Sequence, residues 1–256
     1  GLLILIPCSA FNEQQIRKNI FTNYNKNNRP ILNSSHNVVL KYGLEINNLV
    51  FFNQKSENIE LTMKNTLSWK DQYLTWDLKD NSSTPKYITT TADLVWQPDL
   101  ELYNAATKPK IFDKNPLIKI YYDGTIEYIR HISYSFSCKL DLRDFPFDTQ
   151  TCTMLFGSWK YPKKILDIVL FNSQDNPENP DYFDNFTVSK DFSHNEWIIE
   201  TISVTHKDYE YKCCPGDLWP NSEFSITLKR NPHKYTILVI MSIFIAVSSL
   251  FINFIN

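Results

Sequence analysis

The chain has 256 residues, with 26 Lys and Arg against 28 Asp and Glu, for a formal net charge of −2. That balance excludes nucleic-acid binding by bulk electrostatics, and the length admits one large domain. Five glycines beside 17 Phe, 14 Tyr and 6 Trp exclude a low-complexity chain and predict a densely packed core.

The first ten residues, GLLILIPCSA, form an apolar run closing on small residues. They predict a partial secretory signal over 1–10, without its Met and basic start. Its removal takes Cys8 and leaves Cys138, Cys152, Cys213 and Cys214 for an oxidising compartment. In an exported chain the Asn-x-Ser/Thr triplets at Asn33, Asn81 and Asn185 are glycosylation candidates.

Residues 13–24 carry Ile16, Ile20 and Tyr24 at steps of four, the spacing of a short amphipathic helix. From residue 38 the period falls to two: Leu40, Tyr42, Leu44 and Ile46 face one way, Lys41, Gly43 and Glu45 the other. A polar turn over 53–57 leads into a second alternating run through Ile59, Leu61, Met63 and Leu67, which completes a hairpin and puts Lys64 on the outer face. Trp69, Trp76 and Trp96 are assigned to the core. Residues 118–122 and 125–132 flank Asp123-Gly124, which predicts a hairpin with a type I′ turn.

Next comes CKLDLRDFPFDTQTC, from Cys138 to Cys152. Two cysteines at this spacing in an exported chain predict a small covalent loop, worth roughly 3 kcal/mol on the chain-entropy account. Pro146 fixes its own φ and biases Phe145 toward extended backbone, so both phenyl rings of Phe145 and Phe147 are expected to stand outward. Such an apolar wedge needs a cover, either a neighbouring domain or a membrane surface.

A strand over 153–159, a Pro- and Asn-rich connection over 160–195 and two further strands over 197–205 and 224–230 follow. The fold expected for residues 11–231 is all-β, an immunoglobulin-like β-sandwich with a short N-terminal helix. Residues 235–255 carry no charge, which predicts one C-terminal transmembrane helix; the competing reading is a buried helix of a globular protein. Lys229, Arg230 and Lys234 precede it on the outer side, against the positive-inside tendency. Adjacent Cys213 and Cys214 read as a metal pair, two free thiols or a strained vicinal disulfide. The following Pro215-Gly216 turn and the oxidising compartment favour the disulfide. His36, His131, His194, His206 and His233 show no metal-ligand pairing and the glycines form no phosphate loop, so no enzyme, metal or cofactor site is expected.

Cys138, Asp141, Phe145, Pro146, Phe147, Asp148, Gln150 and Cys152 together resemble the signature loop of the Cys-loop family of pentameric ligand-gated ion channels. Trp69, Asp71, Leu74 and Trp76, with Trp96-Gln97-Pro98-Asp99 and Leu102-Tyr103-Asn104, are similar to segments of the same family. Tyr211, Cys213 and Cys214 followed by Trp219 resemble the capping loop of nicotinic acetylcholine receptor alpha-type subunits. The likeness runs from about residue 28 onward.

This resemblance implies an extracellular domain at the plasma membrane, at a synapse, that binds acetylcholine or a similar quaternary or protonated amine. Tyr103, Trp159, Tyr211 and Trp219 would be the aromatic walls, with Cys213 and Cys214 capping them on the principal face of a subunit contact. Each ring face in contact with the cation is worth roughly 0.5 to 2 kcal/mol. Trp219 departs from the usual Tyr, though it is another electron-rich ring. Phe145, Pro146, Phe147 and Arg230 would carry coupling to the membrane.

Other departures are informative. Lys64 stands where a neighbouring subunit's Trp would complete the pocket; it repels a cation and lacks an indole face, which implies a hetero-pentamer. Gln54 stands where a Glu would pair with Arg230, with Glu57 as a substitute. Acidic residues between 167 and 196, including Asp175, Glu178, Asp181 and Asp184, either bind calcium in the family's manner or form a solvated loop. A pore-less binding or assembly-modulating subunit is the other functional class, since the chain as written has no pore-lining second span.

Overall fold

The computed structural model describes residues 13–78, 84–172 and 185–255, with side chains through Ser248. Residues 1–10, Asn81, Asp175, Glu178, Asp181 and Asp184 lie outside the described residues.

Helix α1 (Glu13–Phe21) buries Ile16 and Ile20. It ends before Tyr24, whose hydroxyl instead donates to Asp71 Oδ2 at 2.6 Å and accepts from the Trp96 amide at 2.9 Å. That hydroxyl ties the helix exit to the sandwich. Strands β1 (Val38–Asn53) and β2 (Asn58–Lys70) pair antiparallel from Lys41–Ser68 to Asn53–Asn58, with two register shifts between. Inward Leu40, Tyr42, Leu44 and Ile46 are buried, as alternation requires.

Strand β3 (Tyr87–Thr91), two-residue strands β4 (Glu101–Leu102) and β5 (Lys110–Ile111), β6 (Leu117–Tyr121) and β7 (Thr125–Ser137) follow. The β6–β7 turn is not type I′. Asp123 is absent from the residues with positive φ, whereas Gly124 has φ 85°, and the Gly124 amide donates to the Tyr121 carbonyl at 2.9 Å. This is a three-residue loop with its left-handed position on glycine, where a Cβ would stand 2.3 Å from the Asp71 carbonyl oxygen.

Strand β8 (Thr149–Gly157) follows the Cys loop, and β9 (Leu166–Leu170) and β10 (Phe186–Val188) arise inside what the sequence presents as a connection. Both run parallel to β1 and cap its outer edge in turn: β9 along residues 38–42, β10 along 44–46. Strands β11 (Trp197–Glu210) and β12 (Leu218–Arg230) form a long hairpin.

The strands make an eight-stranded sheet with the path β10-β1-β2-β7-β6-β3 and a four-stranded sheet ordered β11-β12-β8-β4. Aromatic edges lock the two sheets: Tyr42 of the first meets Phe156 at 5.4 Å and Phe224 at 5.5 Å in the second, and Tyr134 meets Phe156 at 5.3 Å between ring centroids. Trp69 and Trp96 are buried as expected, whereas Trp76 is half-buried with its Nε1 donating to the Pro85 carbonyl at 3.0 Å. The Cys138–Cys152 disulfide, with Cα atoms 5.1 Å apart, joins the end of β7 to β8 and so staples one sheet to the other.

The last element is α2 (His233–Ile255), helical over 23 residues. Among the described residues, no helix is long and apolar enough to cross a membrane. Asn33 and Asn185 are exposed, and Asn33 Oδ1 accepts from the Ser35 amide and hydroxyl at 3.0 and 2.8 Å.

Candidate ligand-binding cleft

Tyr103, Trp159, Tyr211 and Trp219 come from three separate segments and line one cleft of about 440 Å³, with Ser158, Cys213 and Cys214. Register explains the convergence. Leu102 of β4 pairs with Phe156 of β8, so Tyr103 leaves β4 beside Trp159, which leaves β8; the ring centroids are 5.7 Å apart at 84°. On the other wall, the β11–β12 hairpin pairs Tyr209 with Trp219, and Tyr211 meets Trp219 at 6.2 Å and 69°.

Polar contacts behind the rings hold them. Asp99 accepts from the Ser158 hydroxyl at 2.9 Å and the Lys160 amide at 2.8 Å, and the Ser158 oxygen accepts from the Tyr161 amide at 2.9 Å. These bonds fix the turn that presents Trp159, whose side chain is 69 % exposed. Tyr103 donates to the Ser158 carbonyl at 2.6 Å, and Asn221 Nδ2 donates to the Tyr211 hydroxyl at 2.9 Å. Burial first, then Tyr211 and the carboxylates of Asp99 and Glu101, push the Tyr103 hydroxyl well above its ordinary pKa. It remains a neutral donor. Trp219 Nε1 is buried with no partner among the described residues, so the indole that replaces the usual Tyr brings an unused donor to the cleft wall.

Sequence reasoning missed Gly157. A Cβ there would lie 2.1 Å from Asn221 Oδ1 and 2.7 Å from the Tyr103 hydroxyl, so only glycine admits both the Tyr103 hydroxyl and the Asn221 amide that holds Tyr211. Gly157→Ala is expected to leave the sandwich folded by circular dichroism and to weaken ammonium binding by about tenfold, through displaced rings. Unchanged binding would remove Gly157 from the site.

The capping loop differs from expectation. Cys213 and Cys214 are free, with their sulfurs 2.7 Å apart, rather than joined. Neighbouring Cα atoms sit about 3.8 Å apart, short of the span ordinary disulfides use, so closing the bond distorts the peptide between them. The loop keeps its turn without that bond: the Asp217 amide donates to the Cys214 carbonyl at 3.2 Å across Pro215-Gly216.

At the far end of β12, Arg230 is buried. Its Nε and Nη2 donate to Asp148 Oδ1 and Oδ2 at 2.7 and 3.1 Å, and its Nη1 donates to Glu196. Its guanidinium lies 4.1 Å from the Trp197 ring centroid and 5.1 Å from that of Phe145. With its amide oxygen turned inward, Gln54 accepts from Nη1 and Nη2 at 2.8 and 3.1 Å. Gln54 therefore reaches Arg230, as its hairpin position implies, but the counter-charges come from the Cys loop and from Glu196, the residue before β11. Glu57 has a left-handed φ of 51° and gives its carbonyl to the Cys138 amide at 2.8 Å.

Both rings of the Cys-loop wedge stand outward, as expected: Phe147 is 67 % and Phe145 42 % exposed. The peptide between Phe145 and Pro146 is cis. Phe145 also meets Tyr235 of α2 at 4.8 Å and 72°, so the helix covers it in part.

Lys64 is half-buried, paired in register with Glu45 of β1 and His131 of β7, and its ammonium is ion-paired with Glu45. The charge is thus matched within its own sheet. What Lys64 lacks is an aromatic face.

A two-sheet sandwich stapled by a Cys loop, with an aromatic cleft under a hairpin at the sheet edge, defines a receptor ligand-binding domain. Residues 13–232 match the family described as neurotransmitter-gated ion-channel ligand binding domain, and the chain belongs to that family. The neuronal acetylcholine receptor subunit alpha-4 of Mus musculus is 30 % identical over 236 residues, covering 92 % of this chain and 36 % of its own length. The alpha-3 subunits of Bos taurus and Homo sapiens are 30 % and 31 % identical over 242 residues, each covering 94 % of this chain and 46 % and 45 % of their own lengths. The chain therefore spans less than half the length of these curated relatives. These relatives are receptor subunits, not enzymes.

Proposed function

We propose that the cleft formed by Tyr103, Trp159, Tyr211 and Trp219 binds acetylcholine or a similar quaternary or protonated amine, and that the chain is the principal-face part of an acetylcholine-gated cation channel subunit. The observation that carries this reading is the meeting of four electron-rich rings around one cavity. Their faces attract a permanent cation through the ring quadrupole and require no carboxylate to neutralise it. The vicinal disulfide expected from the sequence would need an external two-electron oxidant to join the two free sulfurs, which lie 2.7 Å apart.

A neighbouring subunit supplies the other wall. Lys64, ion-paired and without a π face, makes this chain a poor supplier of that wall to a second copy of itself, which favours a hetero-pentamer. The uncharged run over 235–255, which continues past the described side chains of α2, is read from its sequence as the first membrane span, with residues 1–10 as the remnant of a signal peptide. The domain then lies outside the plasma membrane, at a synapse, with glycans on Asn33, Asn81 and Asn185. Phe145, Pro146, Phe147 and Arg230 carry cleft movement to α2.

The test compares choline esters with their uncharged carbon isosteres, in which a tert-butyl group replaces trimethylammonium, on assemblies containing this chain. The charged ester is expected to bind at least about tenfold more tightly, since shape is shared and only the cation–π attraction differs. Equal affinity would sink the assignment.

A further inference from the structure

We infer that the groove walled by Arg130 and Tyr134 is a second ligand site, one for a small organic carboxylate with a short apolar body. The groove encloses about 570 Å³ and takes Leu100, Leu102, Ile111 and Ile132 as apolar walls. It is separate from the aromatic cleft, yet the two share a strand end: Leu102 lines the groove and Tyr103, the next residue, lines the cleft.

Arg130 occupies an inward position of β7, in phase with buried Tyr128, Ile132 and Tyr134. An arginine here is anomalous. Its guanidinium lies 5.2 Å from the Tyr128 ring centroid, and its Nε is buried without a partner among the described residues. Directly across the ladder stands Asn65, fully buried, whose Nδ2 donates to the Tyr134 hydroxyl at 2.6 Å. That bond uses an acceptor site on Tyr134 and leaves its proton available. Asn65 Oδ1 and the buried Tyr42 hydroxyl also lack partners among the described residues. A cluster with this much unused hydrogen-bonding capacity is costly unless something enters to satisfy it.

The charge pattern selects the ligand. A guanidinium fork matches the two oxygens of a carboxylate, and the Tyr134 hydroxyl adds a neutral donor. Lys108 and Glu101 also line the groove. Glu101 disfavours a dianionic phosphate beside it, and Arg130 repels an amine, whereas a monoanion with an apolar tail meets both the fork and the leucine and isoleucine walls.

The experiment titrates 4-fluorobenzoate against the full chain in its assembled form and follows fluorine line broadening, with 4-fluorobenzamide as the uncharged control. Benzoate is expected to bind and benzamide to bind at least about tenfold more weakly. Arg130→Gln is expected to abolish the difference. Should that variant not fold, Ala106→Trp decides, because it fills the groove from an exposed loop position while Arg130 itself is kept, and is expected to cost benzoate about tenfold. No benzoate binding, equal binding of acid and amide, or full binding to both variants would overturn the inference. Ammonium probes report on the aromatic cleft separately, so either site can fail without the other.

Discussion

Trp159→Ala is expected to weaken binding of a quaternary ammonium ligand by about thirtyfold or more, the equivalent of roughly 2 kcal/mol, while leaving the denaturation midpoint of the domain within error. The two halves of that expectation have the same origin. Trp159 is 69 % exposed, so its removal costs the core little, but it forms one wall of the cleft and packs edge-on against Tyr103. Loss of the indole removes a π face and frees Tyr103 to tilt. Radioligand saturation on assemblies, paired with chemical denaturation of the same material, separates the effects. Parallel loss of binding and stability would mean that the ring is a structural support.

Arg230→Met is expected to have the opposite profile, destabilising the domain by about 3 to 5 kcal/mol because it strands the buried Asp148 carboxylate. The double variant Asp148→Leu/Arg230→Met should recover about 2 kcal/mol or more of that loss, since it removes both buried charges, and Glu196 is exposed enough to hydrate. Additive losses would show that the pair is not energetically coupled. The pH dependence has a definite sign. Burial acts to raise the Asp148 carboxyl, but hydrogen bonds from Arg230 and Gln150 and the guanidinium charge outweigh it and hold the group below the usual carboxylate range. Its contribution is therefore present above the unfolded carboxylate pKa of about 3.9 and is lost as pH falls through the lower folded value. Denaturation of Asp148→Asn across that acid window should show a shallower slope than the parent.

The parts of the fold legible in the sequence are those where periodicity speaks. Alternation in β1 and β2 marks their inward faces, and the cysteine spacing marks the staple between sheets. β9 and β10 escape notice because each is short and parallel to β1; their pairing partner lies more than a hundred residues away, and no hairpin turn announces them. The Asp123-Gly124 dipeptide marks the turn correctly but not its type, since one extra loop residue moves the left-handed position wholly onto glycine.

At the site, the four rings are recognisable only through resemblance, because no local pattern distinguishes a cleft aromatic from a core one. Gly157 carries no signal beyond being one of few glycines, since the need for it comes from Asn221 and Tyr103, both remote in sequence. Arg230 is legible as a charge; its Asp148 and Glu196 partners become visible only when β12, the Cys loop and the segment leading into β11 are folded together.

Strand β12 holds Trp219 near its first residue and Arg230 at its last, about 36 Å apart for an extended chain. It is bonded along both edges, to β11 and to β8. A slip of one residue would turn every inward side chain to the wrong face, so the strand has no freedom to slide like a piston. Pressure applied by a ligand at one end must instead tip the four-stranded layer as a plank, and its lower edge would swing Arg230 and the Cys-loop carboxylate together.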